Sequence, residues 1–154
     1  MEWTALVATV VGAAIGVGST LATDRLRWRR DTGERDRETL RTVSAQFLEA
    51  LTGARDVISD AGSSGHLPAD ERSRLARAAI LDHGVHAKQY QLELLATPEV
   101  ARLAREAAHG LLLYRDAVAA GHTREDPECA QARRAFREHR EALMTAMRSS
   151  LARP

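Results

Sequence analysis

The sequence predicts an all-α protein: an N-terminal transmembrane helix followed by an up-down helical bundle of about four helices. Three observations lead there. Residues 3–22 read WTALVATVVGAAIGVGSTLA without a charge, and the chain then turns basic at DRLRWRR. From residue 34 onward, apolar residues recur at spacings of three and four, with no alternating strand pattern. Two proline-containing start signals, Thr97-Pro98-Glu99 and Asp126-Pro127-Glu128, divide that part cleanly. The expected organisation is a single transmembrane anchor over 1–24, a basic juxtamembrane segment over 25–33 and a cytoplasmic helical bundle over 34–154.

The anchor follows from length and charge order. About 20 uncharged residues make a helix of roughly 30 Å, the thickness of a hydrocarbon core. A cleaved signal peptide carries its positive charge before the apolar stretch, whereas here Glu2 precedes it and Arg25, Arg27, Arg29 and Arg30 follow. The same asymmetry places the N-terminus outside and the C-terminal domain in the cytoplasm, with the chain in the cell inner membrane. Trp3 and Trp28 flank the stretch as interfacial residues. Leu6, Val7, Val10, Val11, Ile15, Val17 and Leu21 together favour insertion by roughly 2–4 kcal/mol, and the threonines, Ser19 and glycines cancel part of it. A helix of such modest hydrophobicity gains from a protein neighbour. Ala8, Gly12, Gly16 and Thr20 supply the face for one: a small-residue stripe, with Gly12 and Gly16 forming GxxxG, along which two backbones approach closely.

Four amphipathic segments follow. The first, about Glu34 to Asp60, aligns Leu40, Val43, Phe47, Leu51, Ala54 and Ile58, and GSSGHLP (62–68) ends it. The second, about Ala69 to Ala96, uses Leu75, Ala78, Leu81, Val85, Leu92 and Leu95, with Gly84 in mid-helix at a cost of about 1 kcal/mol relative to alanine. The third runs from the Thr97 cap on Val100, Leu103, Ala107, Leu111, Tyr114 and Val118 to Gly121. The fourth starts at Asp126 and carries Ala132, Phe136, Leu143, Met147 and Leu151.

A small-residue anchor, then Arg25-Leu26-Arg27-Trp28-Arg29-Arg30-Asp31, then Phe47-Leu48-Glu49-Ala50-Leu51 resembles a broad set of uncharacterised actinobacterial single-pass membrane proteins with a helical cytoplasmic part. The resemblance covers about the first 60 residues. It implies the anchor, the orientation and the helical class, and carries no catalytic residue over.

Charge and composition narrow the function classes. The net charge of +1 conceals a split: from Asp31 onward there are 18 basic and 19 acidic residues. A near-neutral domain argues against nucleic acid as partner. Lys88 is the lone lysine among 22 basic residues, so arginine richness by itself reads as coding bias rather than phosphate binding. With one cysteine there is no internal disulfide and no multi-cysteine zinc site. His83 and His86 on the second helix, with the Glu106-x-x-His109 unit on the third, are the residues a metal would use. Di-iron bundles need two such units and two further glutamates, so the expected cofactor is none. Cys129 near a helix start, with His122 close by, allows a thiol nucleophile to be imagined, but a buried structural cysteine is the simpler reading. No GxSxG, phosphate loop or HExxH occurs. Arg133, Arg134, Arg137 and Arg140, interleaved with Glu138 and Glu141, read as a solvated, salt-bridged face.

The expected function is therefore a membrane-tethered interaction or scaffold module without catalytic activity. Its expected partners are the membrane and either a second copy of the chain or another membrane protein. A bundle enzyme or sensor holding a metal or small ligand between helices is one alternative. A soluble assembly subunit with residues 3–22 in a protein interface is another.

Overall fold

A computed structural model describes residues 34–65 and 67–152. The apolar anchor, its Ala8, Gly12, Gly16 and Thr20 face, and Trp3, Arg25, Arg27, Trp28, Arg29 and Arg30 lie outside the described residues. No helix among the described residues is long and apolar enough to cross a membrane. The chain divides into two compact units, Met1–Thr39 and Leu40–Pro154. Of the first, the described residues 34–39 are helical.

The described residues are all-helical, with no strand. Helix α1 covers 34–63, α2 Ala69–Asp82, α3 Val85–Leu95, α4 Pro98–Ala119 and α5 Pro127–Ala152. The bundle forms because each helix has an apolar face that water disfavours. On α1 the buried set is Phe47, Ala50, Leu51, Ala54, Ile58 and Ala61, at spacings of three and four. Helix α4 buries Val100, Leu103, Ala104, Ala107, Ala108, Leu111, Tyr114 and Val118, and packs against α2, α3 and α5. Helix α5 contributes Cys129, Phe136, Leu143 and Met147. Helices α4 and α5 run antiparallel, since Gly110 faces Phe136 while Glu106, one turn earlier, faces His139.

The start of α4 follows its sequence signal. Thr97 is the N-cap, its hydroxyl accepts from the Val100 N–H, and Pro98 occupies the first turn. Its end is a Schellman motif: the His122 N–H donates to the Ala117 carbonyl at 3.2 Å and the Gly121 N–H to Val118 at 3.0 Å. Gly121 has φ of 100°, a conformation open to glycine at no steric cost.

The second expected helix, Ala69 to Ala96, is corrected by the structure: it is two helices. Gly84 sits in the left-handed region at φ 62° and ψ 34°, caps the end of α2 and begins α3. Its N–H donates to the Leu81 carbonyl and its carbonyl accepts from Lys88. The break resets the helical phase, so the apolar face drawn through an unbroken helix is also corrected. Helix α2 buries Ala76, Ala79 and Ile80. Leu81 and Leu95, expected inside, are 79 % and 51 % exposed. The His83 ring then folds over Gly53 of α1, where an added Cβ would lie 2.5 Å from it.

Tyr114 is fully buried, and its hydroxyl has no hydrogen-bond partner among the described residues. A shielded polar group left unpaired costs about 1–3 kcal/mol. Tyr114→Phe, which keeps the ring and removes the oxygen, is therefore expected to raise stability by about 1 kcal/mol. Urea unfolding followed by circular dichroism checks this; a loss of stability would show that the hydroxyl is satisfied.

Candidate functional site

Three side-chain groups bear on function: the histidines and acids singled out for metal binding, Cys129, and the arginines of α5. The metal candidates do not converge. His83 lies on Gly53, while His86 and His109 are exposed. Glu106 pairs with Arg102 in the turn before it, and its other oxygen lies 3.8 Å from His139 Nδ1. Among the described residues no three His, Cys, Asp or Glu side chains come together as a metal ion would require.

Cys129 is a core residue. It is wholly buried, its Sγ lies 3.7 Å from the His122 backbone carbonyl, and burial, reinforced by Asp126, pushes its thiol pKa up. A thiol held protonated is a poor nucleophile. The His122 imidazole is engaged elsewhere, with Nδ1 at 3.7 Å from Glu128 and 3.9 Å from Asp126.

Asp126 organises the loop before α5. Its Oδ2 accepts from the Thr123 N–H at 2.6 Å, while its own N–H donates to the Thr123 carbonyl. The Thr123 N–H is the main reason the Asp126 carboxyl titrates below its ordinary value. A carboxyl with a lowered pKa in the folded state adds stability above its unfolded pKa, and this is lost as pH falls through the folded value. Asp126→Asn is therefore expected to make the loop less sensitive to acid below about pH 4. Amide exchange at Thr123, compared between pH 5 and pH 3 in both proteins, reads this out. An equal pH response would reject the assignment.

The same loop is tied to α1: the Arg124 N–H donates to the Gly62 carbonyl at 3.1 Å. That tie brings the loop beside the last turns of α1. On α5, Arg133, Arg137 and Arg140 stand at i, i+4 and i+7, one stripe of the helix. Arg55 and Ser59 from α1, Arg124 from the loop and this stripe line a cleft of 210 Å³, together with Phe136 and Glu141. Five arginines and one glutamate thus line it.

The expected salt-bridged face is corrected here. Arg124, Arg133, Arg137 and Arg140 form no ion pair among the described residues; Arg55 pairs with its neighbour Asp56 at 3.0 Å. The Nε of Arg140 is shielded from solvent and has no acceptor among the described residues. Arg134 precedes Glu138 and Arg137 precedes Glu141, so each cation is N-terminal to its acid, the weaker orientation for an i,i+4 pair. Like charges one turn apart, as Arg133 and Arg137 are, cost roughly 0.2–0.5 kcal/mol.

The chain matches no family model, no curated protein and no solved structure. Function therefore rests on this geometry.

A second surface feature lies on α3. Tyr90 is 64 % and Leu94 84 % exposed, one turn apart, with Leu95 beside them. The intervening Ala87 and Gln91 are exposed and uncharged. The signal for the arginine cleft was present in the spacing of Arg133, Arg137 and Arg140. The contributions of Arg55, Ser59 and Arg124 come from tertiary contact and had no local signature.

Proposed function

We infer that this protein is a non-catalytic interaction module, tethered to a membrane by residues 3–22 with its bundle on the cytoplasmic side, and that it associates with a second copy of itself. The observation that carries the reading is the uncharged, exposed stripe of Tyr90, Leu94 and Leu95 on α3. Isolated exposed leucines are ordinary on protein surfaces. Three large apolar side chains within about one turn form a patch whose removal from water favours docking. The small face of Ala8, Gly12, Gly16 and Thr20 supplies a matching contact within the membrane. Both surfaces are uncharged, so two copies meet without like-charge repulsion.

The test uses the intact chain. Membranes from cells producing it are extracted with alkaline carbonate, and the detergent-solubilised protein is sized by light scattering. The expected result is retention in the membrane and a dimer. Leu94→Glu and Gly16→Ile are each expected to lower the dimer fraction without changing helix content. Release by carbonate would favour a soluble assembly subunit. A monomer in the unaltered protein would reject self-association.

A further inference from the structure

We propose that the cleft between α1, the 120–126 loop and α5 is a binding site for a phosphoryl oxyanion. The inference goes beyond the docking function above and rests on different residues. Arginine abundance in the sequence does not carry it; convergence does. Arg55, Arg124, Arg133, Arg137 and Arg140 come from three separate parts of the chain and line one cleft of 210 Å³. Four of the five lack an ion-pair partner among the described residues, and Glu141 is the lone acid in the lining. The Arg140 Nε–H, shielded from solvent, has no acceptor among the described residues.

The chemistry of the ligand follows from size and charge. Small-molecule pockets run to roughly 300–1,000 Å³, so this cleft suits a compact group rather than a dinucleotide. Several guanidinium groups in so small a space call for more than one negative charge, with oxygens pointing several ways. A phosphoryl group meets both conditions, and the planar guanidinium donates to two of its oxygens at once. The Ser59 side chain lies in the lining as a further polar group, and Phe136 gives the cleft an apolar wall. The Arg124 N–H to Gly62 bond ties the loop to α1 beside this lining. The phosphoryl group belongs either to a soluble phosphoester or to a lipid headgroup.

The experiment is calorimetric titration of the full chain in an uncharged detergent with inorganic phosphate, pyrophosphate, citrate and dihexanoyl phosphatidic acid. Pyrophosphate is expected to bind at one site per chain, more weakly as salt rises. Arg137→Gln and Arg124→Gln, both at exposed positions, are expected to weaken it about tenfold or more, with helix content unchanged. Arg134→Gln, on the same helix but outside the lining, is expected to change it less than about twofold. Tighter binding of the phosphatidic acid than of phosphate assigns the group to a lipid; the reverse order assigns it to a soluble phosphoester. No saturable binding of any phosphoryl probe overturns the proposal. So does equal loss in Arg134→Gln and Arg137→Gln, which marks a diffuse charge effect. Citrate binding as tightly as pyrophosphate overturns the phosphoryl assignment.

Discussion

Phe47→Ala is expected to destabilise the bundle by about 3–5 kcal/mol, the range for emptying a buried aromatic site, with a fall in melting temperature on the order of 15 °C. Phe47 is fully buried on α1, among a core that draws on all five helices. Leu51, Leu111 and Leu143 of the same core are likewise fully buried, so the core has little freedom to collapse into the space its ring leaves. The comparison is Leu94→Ala on α3, which is expected to change stability by less than about 0.5 kcal/mol because Leu94 stands in water. Thermal unfolding followed by circular dichroism distinguishes the two. A loss under about 1 kcal/mol for Phe47→Ala would mean that α1 adds little to the core.

Gly110→Val is expected to cost roughly 3 kcal/mol, at the upper end for overpacking. Here α4 and α5 approach closely. A Cβ at Gly110 would lie 3.1 Å from the Phe136 Cα and 3.4 Å from its nitrogen. The obstacle is backbone, which yields only if the two helices move apart. Gly110→Ala adds the Cβ alone, and it gains about 1 kcal/mol of helix propensity, so its net change is expected to be near zero. The contrast between the two substitutions isolates the close approach from propensity. If valine costs no more than alanine, the helices have room that the geometry denies.

What the sequence made legible was whatever depends on neighbours along one helix. The α4 stripe from Val100 to Val118 is buried throughout, and Thr97-Pro98 marks the start of that helix. Gly121 marks its end because a left-handed residue is a local requirement. Gly84 is the same residue type and was harder to read. A glycine inside an amphipathic run is equally compatible with a tolerated defect and with a break, and it was the packing of His83 over Gly53 that accompanied the second choice. Once the chain turned there, the register of Leu95 was lost with it, whereas Leu81 precedes the break and lies off the α2 face of Ala76, Ala79 and Ile80. The arginines show the same division. Their spacing on α5 is local, but whether Glu138 and Glu141 neutralise them depends on side-chain direction. That Arg55 and Arg124 join them depends on how distant segments meet.

The hydrogen bond from Arg124 to Gly62 has a kinetic meaning. It joins the turn before the last helix to the closing turn of the first described one, across α2, α3 and α4 in sequence. Such a pairing forms late in any folding route that grows from local contacts, because the long loop between its ends must first be closed. The Arg124 amide is accordingly a reporter of the docked state. Its proton is shielded from exchange while the first helix is seated and is released when that helix lifts, whichever of the other helices remain formed.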